Sequence, residues 1–196
     1  MGIRGEKNLN ISTFLEVMSV QRHDFLNHLQ VISGLVQLNK TERVREYINQ
    51  VSLEVERMSR VGHLTVPEVA AVLLIGHYMA DKHQVEVIYE INTDLKKCGV
   101  PGQILGEVIQ EVFVQSLETL VPPDVSNRKL KISCTESDKK YLIKLFCPQP
   151  DKRAGTAQAR LAEIGKSLAP YGGKVGIVVS ASGGEIFIIF PRQHAL

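Results

Sequence analysis

The chain has 196 residues, 44% of them hydrophobic, and its 23 basic and 21 acidic side chains leave a formal net charge of +2. That length suits one compact domain with a smaller element attached; the apolar content excludes a disordered chain, and intermixed charges with few aromatics exclude a nucleic-acid surface. No apolar run reaches the roughly 18 to 20 residues that span a bilayer, and the opening MGIRGEKNLN has no signal-peptide core, so a cytoplasmic protein without membrane anchor or attached sensory segment is expected.

Apolar residues at Ile11, Leu15, Met18, Phe25, Leu29, Ile32 and Val36 recur three and four apart, with Arg22 at the one interrupted position. This heptad stripe predicts a long helix with a seam. Val44, Ile48, Val51, Val55 and Met58 repeat the pattern, and Asn39-Lys40-Thr41 between them is short enough to force an antiparallel hairpin. Thr41 is expected to cap the second helix through its hydroxyl, with Glu42 favourably placed at the positive end of the dipole. Leu26, Leu35, Tyr47 and Leu53 lie off the seams and present more apolar surface than two helices can bury. Residues 10–61 are therefore expected to form half of a dimeric four-helix bundle, a second copy supplying the missing wall.

Within the first helix, Gln21-Arg22-His23-Asp24-Phe25-Leu26-Asn27-His28 sets His23 on the polar flank of the stripe, where its imidazole should face solvent. Asn27 follows one turn later on the same face. Asp24 is rotated by about 100° yet adjacent, so its carboxylate can favour one imidazole tautomer and leave the other nitrogen nucleophilic. Arg22 adds a positive charge suited to phosphoryl oxygens. These are parts for nucleophilic phosphoryl transfer.

The stretch QRHDFLNHLQVISGLVQL resembles the phosphoacceptor helix of the SpoB-type branch of sensor histidine kinases, the citrate and malate sensors among them, and of the sporulation initiation phosphotransferase B family. The resemblance implies that His23 accepts the phosphoryl group, with Asp24 as the orienting acid and Asn27 as the polar residue one turn on. It gives His28 no role.

After the linker His63-Leu64-Thr65-Val66, Pro67 suits the first turn of a helix running through Met79. Strands are expected over Gln84 to Ile91, Lys129 to Thr135, Tyr141 to Cys147, Lys174 to Ser180 and Glu185 to Phe190, and helices over Gly102 to Leu120 and Thr156 to Ala169. Gly172-Gly173 reads as a helix-ending signal and Ser182-Gly183-Gly184 as a turn. Cys98, Cys134 and Cys147 lack metal-type spacing and read as structural thiols. The order over residues 67–192 resembles the ATP-binding domain of histidine kinases, of the type shared with gyrase and the Hsp90 chaperones. The expected fold is thus α+β, a dimerising helical hairpin followed by a degenerate histidine-kinase/gyrase/Hsp90-like α/β sandwich.

The nucleotide motifs that this resemblance calls for are displaced. Where the kinase pattern has Gly-Asn-Leu-Leu-x-Asn-Ala, the chain reads Gly106-Glu107-Val108-Ile109-Gln110-Glu111-Val112, with carboxylates in place of both asparagines. Negative charges there would repel a triphosphate in a partly desolvated site. The Asp-x-Gly-x-Gly turn is replaced by Pro148-Gln149-Pro150-Asp151-Lys152, and the glycine-rich lid by Arg153-Ala154-Gly155-Thr156-Ala157. ATP binding is therefore not expected, and the chain is expected to carry no cofactor of its own. The resemblance implies a phosphorelay transferase working between two response-regulator receiver domains, with Mg²⁺ supplied by the receiver. Two other readings stand beside it: an autophosphorylating histidine kinase with a divergent nucleotide site, and a module that binds response regulators without transfer.

Overall fold

A computed structural model of the chain describes residues 11–148, 154–180 and 182–193. Two long helices, α1 (Ile11–Gln37) and α2 (Thr41–Gly62), form the antiparallel hairpin. The turn works through Asn39, whose φ of 54° is the left-handed conformation that a short polar side chain tolerates. It lets the Lys40 amide donate to the Leu35 carbonyl at 3.0 Å, which closes α1. The N-cap of α2 is Lys40, with no side-chain capping bond, so the capping expected of the Thr41 hydroxyl is not made; Glu42 does occupy the first turn.

Helix α3 (Pro67–Lys82) begins with its proline in the first turn, as the linker sequence requires. Then follow β1 (Glu86–Ile91), α4 (Gly102–Leu120), β2 (Lys129–Glu136), β3 (Lys140–Cys147), α5 (Ala154–Leu168), a 3₁₀ turn (Ala169–Tyr171), β4 (Lys174–Ser180) and β5 (Gly183–Pro191). The strands form one sheet in the order β1-β2-β3-β5-β4. The β1–β2 pair is parallel and the others are antiparallel. Buried residues alternate along β2, β3 and β5, so one face of the sheet carries the core. That face is covered by α3, α4 and α5 around Phe113, Leu117, Ile132, Ile143, Leu145 and Ile188.

Two expected boundaries move for backbone reasons. Gln84 takes φ 56° in the turn after α3, so β1 starts at Glu86. Gly183 and Gly184, expected in a turn, are the first residues of β5; Gly183 has φ 147°, and a Cβ there would strike the Cys147 carbonyl oxygen. Gly172, at φ 72°, ends the 3₁₀ turn after α5 as its sequence signal suggests. Cys134 and Cys147 are buried, Cys98 is half-buried, and all three are free. Burial pushes the Cys134 thiol up to about 12.

The hairpin is fixed to the α/β layer at one end. Val61 at the end of α2 and Leu64 in the linker belong to the main core. Val17 of α1 is buried, and Glu16 beside it meets α3, accepting from the Tyr78 hydroxyl at 3.2 Å and lying 3.5 Å from Lys82 Nζ.

Candidate functional site

Most of the α1 stripe is left uncovered, Ile32 alone of its described side chains being half-buried. Leu15, Met18, Phe25, Leu29 and Val36 all remain exposed, and α1 instead turns Val17 and His28 inward. Of the residues off the seams, Tyr47 and Leu35 are half-buried, while Leu26 and Leu53 stay exposed. The result is an apolar band along α1 with no cover from the described residues.

His23 sits at the edge of this band. Its side chain is 73% exposed. On an α-helix, residues four apart stack on one face, and Asn27 Nδ2 lies 3.0 Å from His23 Nδ1. Asp24 Oδ1 is 3.6 Å from the same nitrogen, a distance of charge attraction rather than of hydrogen bonding. Both neighbours therefore address Nδ1, and Nε2 is left without a partner among the described residues. The tautomer follows from which Asn27 atom faces the ring. An amide hydrogen donated to Nδ1 leaves the proton on Nε2; the amide turned over presents Oδ1 to accept from Nδ1–H and leaves the Nε2 lone pair free. The Asp24 carboxylate favours the second arrangement, because a negative oxygen attracts a protonated Nδ1.

Arg22 is exposed on the preceding position and reaches Ser19 Oγ at 3.5 Å, so it stands beside His23 without touching it. The four residues singled out in sequence are thus together on one turn and a half of α1. His28 is engaged elsewhere: its Nδ1 is 2.9 Å from the Tyr47 hydroxyl, and the two rings lie 5.9 Å apart across the hairpin. Tyr47 was visible in sequence only as surplus apolar surface; the polar tip that needs a partner was the available signal.

A further histidine, His77 of α3, carries no signal in the sequence beyond its place in a helix. It is half-buried on α3, its ring 5.8 Å from that of Tyr89, and its Nδ1 has no hydrogen-bond partner among the described residues. Burial pushes its imidazole below the ordinary range, against the opposing pull of the Asp81, Glu54 and Asp24 carboxylates. Since those groups come from α3, α2 and α1, the second unit reaches the electrostatic surroundings of the histidine turn.

The carboxylates that displace the first nucleotide motif lie on α4. Glu107 is exposed on α4 and accepts from Gln103 Nε2 at 3.2 Å, while Glu111 is half-buried on the next turn. Residues 149–153, which stand where the Asp-x-Gly-x-Gly turn and the start of the lid would be, lie outside the described residues; Ala154 to Ala157 are helical. Among the described residues, no group of three or more His, Cys, Asp or Glu could hold a metal ion, and no helix is long and apolar enough to cross a membrane.

Residues 4–64 match the family described as the alpha-helical domain of SpoOB-type sensor kinases. The sporulation initiation phosphotransferase B of Bacillus subtilis (strain 168) is 26% identical over 99 residues, covering 50% of this chain and 50% of that protein. A probable C4-dicarboxylate sensor kinase of the same organism is 26% identical over 141 residues, covering 68% of this chain but 26% of that protein. The chain thus spans half or less of the length of these relatives. Among solved structures, the histidine kinase ThkA in complex with the response regulator protein TrrA superposes with a TM-score of 0.53 at 14% identity, over 93% of this chain and 63% of that one.

Proposed function

Because the hairpin is a SpoOB-type helical domain and the layer behind it has a histidine kinase fold, both of them two-component signalling parts, we propose that the chain is a histidine phosphotransferase. In this reading His23 carries a phosphoryl group from the phosphoaspartate of one response-regulator receiver to the aspartate of another. The observation that carries it is the asymmetry of the His23 ring, with Nδ1 held by Asn27 and Asp24 and Nε2 turned outward on a side chain 73% exposed.

The chemistry balances without a redox partner or cofactor. The Nε2 lone pair attacks phosphorus as the acyl phosphate P–O bond breaks, and the receiver's aspartate leaves as a carboxylate. The proton stays on Nδ1, and the cationic phosphoimidazole that results sits 3.6 Å from the Asp24 carboxylate. Arg22 is close enough in sequence to swing toward the phosphoryl oxygens. In the second half the new receiver's aspartate attacks phosphorus, the N–P bond breaks, and the electron pair returns to Nε2. Both carriers are high-energy species, so the protein's contribution is alignment of attacking and leaving atoms. Mg²⁺ comes with the receiver, whose own carboxylates hold it.

In the same reading a second copy covers the exposed band of Leu15, Met18, Phe25 and Leu29, making a four-helix bundle with two histidines. Nucleotide is not used, since Glu107 and Glu111 put negative charge where the kinase pattern has amides. The histidine kinase fold itself favours the second reading, ATP-dependent autophosphorylation of His23. Incubation of the purified chain with a phosphorylated receiver, and separately with labelled ATP and Mg²⁺, decides between them. Acid-labile, base-stable label in the first arm alone supports the transferase, label in the second arm establishes the kinase, and label in neither removes both.

A further inference from the structure

The end of the sheet where β1 and β5 finish and β3 and β4 begin gathers five lysines. Lys96 and Lys97 stand in the loop after β1, Lys139 and Lys140 where the β2–β3 turn enters β3, and Lys174 at the start of β4. The chain just beyond β5 ties these segments together. The Arg192 amide donates to the Lys139 carbonyl at 3.0 Å, and the Gln193 amide to the Lys97 carbonyl at 2.8 Å. Lys140 pairs with Pro191 and Lys174 with Ile189, so these two lysines flank β5 on the sheet face opposite the helices, about 12 Å apart at the backbone.

All five lysines are exposed, and none has an ion pair among the described residues. The acids of the same segments are fewer and partly engaged. Glu136 accepts from Thr93 Oγ1 at 2.6 Å and lies 3.7 Å from the Arg192 guanidinium. Asp94 and Asp138 remain, which leaves a local excess of three positive charges, more than the +2 of the whole chain. Such a concentration raises the local potential and attracts an anionic partner.

The side chains present narrow the kind of partner. Protein hot spots are built from Trp, Tyr and Arg, yet the arginine here is engaged with Glu136, and the rings of Tyr141 and Phe190 are buried. With those rings inside, bases have nothing to stack on, as a single-stranded nucleic acid would require. No large apolar side chain is exposed in these segments, so none is offered for insertion. Lysine is a flexible, strongly hydrated point charge without the planar fork that matches one carboxylate or phosphate. Dispersed ammonium groups suit a surface of dispersed negative charge. We infer that this end of the sheet rests on an anionic lipid surface, held by long-range attraction through Lys96, Lys97, Lys139, Lys140 and Lys174 without insertion. The inference is independent of how His23 is used.

Co-sedimentation of the full chain with vesicles tests it, one set of phosphatidylcholine alone and one with about a third phosphatidylserine. Binding is expected to the second set only, and should disappear between about 0.1 and 1 M salt as the screening length falls from about 10 to about 3 Å. A lysine near such a surface contributes about fivefold in affinity, so Lys97→Gln, Lys139→Gln and Lys140→Gln together should weaken binding about a hundredfold. Lys40→Gln, Arg43→Gln and Arg45→Gln together remove the same charge from exposed positions at the hairpin tip and should change it by less than about threefold. Absence of binding to the phosphatidylserine vesicles, equal binding to the neutral ones, binding that survives the high salt, or equal loss in the two triple variants each overturns the proposal. So does tighter binding to polyglutamate or to polyuridylate than to vesicles at equal anionic charge, which would give the patch to a protein or a nucleic acid instead.

Discussion

Truncating Phe25 to alanine puts the uncovered band on α1 to a quantitative test. The side chain is 61% exposed in a single copy. A phenylalanine buries about 200 Å² when fully covered, so about 120 Å² is available to a partner. At about 25 cal/mol per Å² that is about 3 kcal/mol. The methyl group that alanine retains lowers the loss to about 2 kcal/mol per copy. Both copies carry the change, so the dimer loses about 4 kcal/mol, or about a thousandfold in its dissociation constant. This is a ceiling, reached when the partner covers the whole ring. Because Phe25 covers little within its own copy, helical circular dichroism should be unaltered. Sedimentation velocity over a concentration series reads the constant directly. A variant that dissociates within about threefold of the wild type, or a wild type that is monomeric at micromolar concentration, refutes the reasoning.

Three other outcomes follow from the geometry around the histidines. His23→Gln keeps a helix-compatible polar side chain without the imidazole, so dimerisation should persist while transfer from a phosphorylated receiver disappears; His28→Gln, which loses only the contact with Tyr47, should transfer at close to the wild-type rate. Asp24→Asn keeps the shape of the carboxylate and removes its charge, and single-turnover transfer should slow by about tenfold with the phosphohistidine still formed. His77 gives a pH dependence of definite sign. Its folded value is depressed below the ordinary 6.5 by burial, so the unfolded chain takes up the proton first, and the stability this contributes is complete above that value and lost as pH falls through the folded value. Urea midpoints of the wild type should therefore fall more steeply on acidification than those of His77→Leu, and parallel curves would count against it.

How far the sequence foretold these features depended on whether the signal was local. The hairpin followed from heptad spacing and a three-residue gap, and α4 and β4 fell at their expected limits because period and flanking turns agreed. The cluster of Arg22, His23, Asp24 and Asn27 was equally legible, since helical spacing alone decides which neighbours meet. Long-range packing was not. That most of the α1 stripe stays uncovered and that His77 lies within reach of Asp24 both depend on how α3 and β1 pack against the hairpin. The cap of α2 failed for a local reason, as the left-handed Asn39 shifts the helix start so that Lys40 occupies the cap and Thr41 is already helical.

The one-ended attachment of the hairpin divides its resistance to opening. Backbone amides near Asn39 are guarded by a turn and by helix ends free to fray, whereas those near Val61, which has no exposed surface, open only when the core around Leu64 and Tyr89 opens too. A single continuous helix, α2, thus belongs to two cooperative units, a labile one at the tip and a rigid one at the root. Hydrogen exchange along its 22 residues is expected to grade from local fraying at the tip to global unfolding at the root.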